Sequence, residues 1–119
     1  MLRLTNKEEE IMKIIWRLNK VFVKEIKAEM KEEAPHYNTL STIVRNLEEK
    51  GFVGHEAFGN THRYFPIIPK ESYRKRFINN SLVAYYDNSY KNMVSYFAKE
   101  QKISIEELKE IIALIEKDK

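Results

Sequence analysis

The segment YNTLSTIVRNLEEKGFV, residues 37–53, decides the fold of this chain. Its apolar residues recur at i, i+3, i+4 and i+7, which is the spacing of a single stripe along an α-helix. The members of this stripe are Leu40, Ile43, Val44 and Leu47. The other face carries small polar side chains and one arginine, with no carboxylate before the last turn. Gly51 stands where a left-handed helix cap belongs. The segment therefore predicts a helix that buries one face and leaves a polar face free for a partner.

Two shorter helices are predicted upstream of this segment. Thr5 and Glu8 have the spacing of a capping box, and the apolar residues that follow predict a helix over about 6–18. A second apolar pattern predicts a helix over about 23–31. Pro35 ends that helix, because the residue before a proline resists helical geometry.

Extended sequence follows Gly51. Residues 52–58 and 62–67 lack the helical period and flank the pair Gly59-Asn60, so they predict a β-hairpin. Pro66 either ends the second strand or makes it an edge strand. Three helices followed by a hairpin are typical of a winged helix-turn-helix, in which the third helix enters the major groove of DNA. We therefore predict a mainly α fold with a small β-hairpin.

The charge distribution indicates a polyanionic partner. The net charge is +3, and residues 34–47 and 57–70 contain no acid. The hydroxyl and amide groups of the third helix can bond to base edges and phosphates, and an arginine can pair with guanine or phosphate. We predict double-stranded DNA as the partner, with Arg63 bound to phosphate. The predicted DNA-binding residues are Asn38, Thr39, Ser41, Thr42, Arg45, Asn46, His62 and Arg63.

An amphipathic helical region follows the hairpin. We predict a winged helix-turn-helix DNA-binding domain over residues 1–68 and a helical dimerisation domain over residues 69–119. The patterns indicate a helix over about 70–86 and two further helices capped by Ser89 and Ser104.

So short a region cannot bury all its apolar side chains internally, so we expect it to pair with a second copy about a two-fold axis. Such a homodimer presents two recognition helices to a palindromic operator. The expected dimerisation residues are Tyr90, Met93, Val94, Phe97, Ile105, Leu108, Ile112 and Ile115. The alternative is that these helices pack back on their own winged helix.

The composition argues against an enzyme and against a metal site. The absence of cysteine excludes disulfides, thiolate zinc sites and cysteine nucleophiles. No stretch approaches about 18 consecutive apolar residues and no signal sequence is recognisable, so we expect a cytoplasmic protein without membrane insertion. His55, Glu56 and His62 could face each other across the hairpin, but two histidines and one exposed carboxylate favour surface histidines over a metal site. We predict no catalytic residue and no cofactor.

The chain resembles the penicillinase-repressor family, also called BlaI/MecI/CopY, over nearly its whole length. The resemblance is carried by LTNKEEEIMKIIW at residues 4–16, by residues 37–53, and by Tyr64 and Pro66 at the end of the hairpin. It implies a homodimeric transcriptional repressor that binds a palindromic operator and controls antibiotic-resistance or metal-homeostasis genes.

The resemblance also implies particular contacts and a mode of release. Thr39 and Thr42 correspond to recognition-helix contacts of the family. In its resistance branch, a membrane metalloprotease sensor triggers cleavage of an Asn-Phe bond in the dimerisation region. The matching pair here is Tyr96-Phe97, in which the phenylalanine agrees and the tyrosine departs. The copper branch carries a cysteine cluster that this chain lacks, so copper sensing by that route is not expected.

A winged helix can also bind a protein through the same face. An apolar protein interface is rich in aromatic side chains and depends little on salt, whereas DNA binding weakens steeply as salt rises. The third helix exposes hydroxyls and amides rather than aromatic rings. We therefore expect a DNA-binding repressor without catalysis of its own, released by proteolysis of the dimerisation region.

Overall fold

The computed structural model describes residues 3–117 of the 119-residue chain. Within that range the protein is mainly helical with a small antiparallel sheet, which confirms the predicted fold class. The helices are α1 (Asn6–Leu18), α2 (Val23–Met30), α3 (Tyr37–Glu49), α4 (Lys70–Tyr85), α5 (Tyr90–Lys99) and α6 (Ile105–Lys117), with a short 3-10 helix at Lys31–Glu33. The strands are β1 (Val21–Phe22), β2 (Val53–Phe58) and β3 (Thr61–Pro66).

The core of the winged helix is built on the predicted stripe of α3. Leu40, Val44 and Leu47 are completely buried, while Ile43 at the edge of the stripe is partly buried. Each large apolar side chain removed from water stabilises the fold by about 1.5–3 kcal/mol. The stripe packs in one cluster with residues from α1, α2, the sheet and the bend before β2, which include Ile11, Met12, Ile15, Val21, Ile26, Phe52, Val53 and Tyr64.

The sheet has three strands in the order β1-β3-β2. The predicted hairpin of β2 and β3 is present, with His55 opposite Tyr64. The two-residue strand β1 adds a third strand on the other side of β3, where Val21 pairs with Tyr64. Because β3 is therefore central, Pro66 ends the strand rather than marking a sheet edge.

Helix ends follow the capping signals in the sequence. Thr5 and Glu8 form the predicted reciprocal box, with Thr5 N donating to Glu8 Oε1 over 2.8 Å. Ser89 Oγ accepts from the Asn92 amide at the start of α5. Gly51 has a φ of 84°, the left-handed conformation that glycine adopts without a steric cost.

The chain divides into two compact units that meet inside α4, between Arg74 and Lys75. The first turn of α4 belongs to the winged-helix unit because Tyr73 packs there, with its hydroxyl donating to Glu9 Oε2 over 2.8 Å. Its ring lies 5.5 Å from that of Trp16 and 5.7 Å from that of Phe52. Burial and this hydrogen bond raise the pKa of Tyr73 to about 12, so it is a neutral donor. The functional division at residues 68 and 69 stays a prediction.

The second unit buries little of its apolar surface. Leu82 of α4 is buried, but α5 and α6 contain no buried residue in the range that the structure describes. A small aromatic cluster joins Tyr86 to Tyr96 and Phe97. No helix within residues 3–117 is both long and apolar enough to cross a bilayer.

One ion pair ties α1 to the end of α3. Lys50 Nζ lies 2.6 Å from Glu8 Oε1, and Glu8 is only 4% exposed. Burial alone raises the pKa of Glu8, but the hydrogen bonds from Lys50 and Thr5 and the charge of Lys50 outweigh it and hold this pKa below the ordinary 4.5. The ionised carboxylate is therefore favoured in the folded state, and its stabilising effect is lost as the pH falls through the lowered pKa.

Glu8→Gln should lower the free energy of unfolding at pH 7 by about 1–3 kcal/mol, because it removes a charged hydrogen bond from Lys50. Urea unfolding at pH 7 and again below about pH 4 measures this, and the difference from wild type should shrink at the lower pH. Glu10→Gln is the control, since Glu10 pairs with Lys7 while both are about half exposed. Equal effects of the two substitutions at pH 7 would contradict the prediction.

Candidate nucleic-acid interface

The polar side chains of α3 form one solvent-facing surface opposite the buried stripe. We call this surface the recognition face; its members are Asn38, Thr39, Ser41, Thr42, Arg45 and Asn46. All of them are exposed except Ser41, which is partly exposed. The first turn of α3 contains no acidic residue. The structure therefore brings together the six predicted α3 residues on one face, with hydrogen-bonding groups and one cation.

Thr42 is held at the centre of this face by local hydrogen bonds. Its hydroxyl donates to the Asn38 carbonyl over 3.0 Å and accepts from Arg45 Nη2 over 3.4 Å. The hydroxyl proton is thus used by the helix backbone. What Thr42 still offers a base edge is an oxygen lone pair and a methyl group, which suit an amino group and a thymine methyl.

The two predicted wing residues lie on opposite faces of the hairpin. Neighbouring residues of a strand point to opposite faces, and the register pairs His62 with Ala57 and Arg63 with Glu56. His62 shares its face with the buried Tyr64, on the side of α3. Arg63 lies on the outer face, which points away from α3. The two side chains therefore cannot contact the same part of a partner from one face of the hairpin.

Arg63 is not a free cation in the structure. Its guanidinium carbon lies 4.7 Å above the centre of the Phe58 ring, and Nη2 is 3.5 Å from Glu56 Oε2. Its Nε is buried and, within the described residues, has no hydrogen-bond partner. Any phosphate bound by Arg63 must therefore compete with Glu56.

The geometry of the histidines argues against the metal arrangement considered from the sequence. The rings of His55 and His62 stack 4.1 Å apart at an angle of 9°, and His55 Nδ1 lies 2.6 Å from Glu48 Oε2. Imidazole lone pairs lie in the plane of the ring, so two parallel rings do not converge on one ion. Glu56 does not face the two histidines, because the register places it on the outer face. Within residues 3–117 no group of three or more metal-ligating side chains is placed to hold an ion.

Sequence reasoning missed several exposed residues of the winged-helix unit, on α3 and on the outer face of the wing. Tyr37, the first residue of α3, is 45% exposed, and Phe58 at the end of β2 is exposed to the same extent. Lys24 lies in the first turn of α2, over the ring of Phe22. Tyr37 could have been found from its position before the polar face, whereas the other contacts depend on the pairing of β1 with β3.

Comparison with known proteins identifies the family of this chain. The model of the penicillinase repressor family matches residues 4–117. The chain belongs to the penicillinase repressor family. The resemblance stated from the sequence is thereby confirmed, and so is the expectation of a transcriptional regulator rather than an enzyme.

Several individual proteins are similar to this member of the penicillinase repressor family. The penicillinase repressor of Bacillus licheniformis is 25% identical over 118 residues, which is 98% of this chain and 92% of that protein. The solution structure of the DNA-binding domain of the repressor BlaI is 26% identical and has a TM-score of 0.53. The match covers 60% of this chain and 88% of the BlaI domain. The CopR repressor structure is 28% identical, with a TM-score of 0.47, and covers 56% of this chain and 99% of that one.

Proposed function

We propose that this member of the penicillinase repressor family is a homodimeric repressor that binds a palindromic DNA operator. The observation that carries the proposal is the recognition face of α3, an exposed helix surface with hydroxyls, amides and Arg45 and no acid in its first turn. Such groups read base edges from the major groove, where a winged helix inserts its third helix. A solved structure whose match covers 60% of this chain is the DNA-binding domain of the repressor BlaI.

Contacts beside the recognition face complete this proposal. Arg63 exchanges its long contact with Glu56 for a phosphate oxygen, and the exposed ring of His62 lies on the α3 side of the wing. Phosphate contacts fix the position of a protein on the duplex, and base contacts supply its sequence preference. Arg63 therefore helps to fix the position of the protein on the duplex, and Thr42 contributes to its sequence preference.

Dimerisation is supported by the apolar surface of the second unit. Ile105, Ile112 and Ile115 of α6 are each more than half exposed, and Leu108 of the same stripe is partly exposed. In α5, Tyr90, Val94 and Phe97 are exposed and Met93 is partly exposed. Surface of this kind at helical spacing is typical of an interface between helices of two copies. A second copy of the chain is the partner that these stripes fit.

Release by proteolysis is the second part of the proposal, with a membrane metalloprotease sensor as the partner that starts it. The Tyr96-Phe97 bond lies inside α5. A protease binds its substrate extended, so this bond becomes accessible only when α5 opens. Opening costs little where few side chains are buried, and in the single chain α5 has none buried in the described range, so its opening is opposed mainly by the contact with the second copy. Cutting there separates α6 from the winged helix and so removes part of the proposed interface.

The assignment of Thr42 and Arg63 predicts different losses. Thr42→Val keeps the shape and the methyl group but removes the hydroxyl, and it should weaken binding to the chain's own promoter about fivefold more than binding to a random duplex. Arg63→Gln should weaken both by a similar factor and reduce the salt slope by about 1. Mobility-shift titrations at several salt concentrations measure both effects. Equal losses on both duplexes from Thr42→Val would remove its base-reading role.

The dimer proposal predicts a change of mass. Ile112→Glu combined with Ile115→Glu places charges on the exposed stripe of α6 and should produce monomers at micromolar concentration, with loss of tight promoter binding. Analytical ultracentrifugation gives the mass, and Ala113→Glu, which adds a carboxylate outside the stripe, should leave the dimer intact. A wild-type chain that sediments as a monomer at this concentration would contradict the proposal.

The cleavage proposal predicts a defined fragment. When the chain is coexpressed with a membrane metalloprotease sensor, mass spectrometry should find a product that ends at Tyr96. Tyr96→Asn restores the family's Asn-Phe pair and should be cut faster, while Phe97→Ala should prevent cleavage at this bond. An intact chain, or cleavage elsewhere in all three proteins, would refute the site.

A further inference from the structure

A row of rings and cations lies on the outer face of the wing, away from the recognition face. Phe22 and Phe58 meet edge to face, with ring centroids 5.9 Å apart and an angle of 74°. Lys24 Nζ lies 5.9 Å from the centre of the Phe22 ring, and Arg63 lies over the Phe58 ring. We call these four residues the wing platform.

The wing platform sits at the end of the sheet that carries the hairpin turn. Phe58 is the last residue of β2, directly before Gly59. Phe22 pairs with Arg63 and directly precedes α2, so Lys24 in the first turn of that helix is brought to the same end. The pairing of β1 with β3 thus joins cations that lie 39 positions apart in sequence, from Lys24 to Arg63.

Carboxylates near the platform are already engaged. Glu56 lies between two cations, with Lys20 Nζ 3.5 Å from one oxygen and Arg63 Nη2 3.5 Å from the other. Glu25 accepts a hydrogen bond from the Phe22 amide over 2.8 Å. Both contacts of Glu56 are long and partly exposed, so they hold the cations only weakly.

We propose that the wing platform is a second, sequence-independent contact to the DNA backbone, in which Phe22 and Phe58 are positioning residues for Lys24 and Arg63. The proposal rests on the proposed DNA-binding function. A ring beneath each cation restricts its side chain before DNA arrives, and this lowers the entropy lost on binding phosphate. A protein partner would instead use the ring faces for apolar contact, and each ring here already carries a cation. Glu56 then acts as a competitor that phosphate must displace.

The test uses the full chain, its promoter duplex and a random duplex of equal length, titrated at several salt concentrations. Lys24→Gln should reduce the salt slope on both duplexes by about 1. Phe58→Leu should lower affinity for both about two- to fivefold, because it keeps an apolar side chain but removes the aromatic face. Phe58→Tyr should restore wild-type affinity and slope. Glu56→Gln should raise affinity for both duplexes about twofold or more.

Lys7→Gln on α1 is the control and should leave affinity and slope unchanged, since Lys7 pairs only with Glu10 among the described residues. Thermal unfolding by circular dichroism checks that the Phe58 variants remain folded, as expected for a side chain that is 45% exposed. A wild-type chain that leaves the promoter unretarded would defeat the DNA-binding function itself. A wild type that binds, together with wild-type affinity and slope in Lys24→Gln and Phe58→Leu, would overturn the platform alone. Losses confined to the promoter would also overturn it.

Discussion

Helix α3 buries Leu40, Val44 and Leu47 against α1 and the sheet, and this contact sets the rotation of the helix about its axis. Exposing these three side chains would cost about 1.5–3 kcal/mol each, and together they outweigh the about 1–3 kcal/mol that one bidentate contact to a base edge returns. The recognition face is therefore fixed before any partner binds. Its groups do not have to be ordered by DNA, and that saving favours affinity. The hydrogen bond of Thr42 to the Asn38 carbonyl likewise fixes the orientation of the Thr42 side chain before a partner binds.

The two compact units differ in how their apolar side chains are used. The winged-helix unit has a closed cluster around α3, while α5 and α6 have no buried residue in the part of the chain that the structure describes. If a second copy covers the second unit, two recognition faces are linked, and each raises the effective concentration of the other at a two-fold site. Affinity for the operator then depends on the subunit contact. A cut within α5 would reduce DNA binding without touching a residue that contacts DNA.

Sequence patterns predicted what depends on local spacing. The stripe of α3, the Thr5 capping box and the turn at Gly59 are each set by residues within a few positions of one another, and all three are present. Contacts that depend on pairing across the sheet were not predictable in this way. A two-residue strand such as β1 carries no period, so its pairing with β3 could not be read from the sequence.

The same limit explains which site residues the sequence could group. The sequence identified the recognition face as a set because these residues share one helix. It treated His62 and Arg63 together because they are adjacent, but adjacency in a strand places them on opposite faces. Other contacts join different elements and could be found only from the three-dimensional structure. They are the hydrogen bond between His55 and Glu48 and the aromatic rings beneath Lys24 and Arg63.

An acid within a cationic surface has a physical use in a protein that must distinguish one site from many. Backbone contacts strengthen binding to every duplex alike, and a genome offers about a million or more competing sites. If the cations of the wing bind phosphate as proposed, a carboxylate at Glu56, shared between Lys20 and Arg63, lowers the affinity that they give to any DNA. The proposed base contacts of the recognition face would be unaffected by it, so they would carry a larger share of the total binding free energy. The carboxylate would thus lower affinity but preserve the difference between the operator and other sequences, which is the quantity on which repression depends.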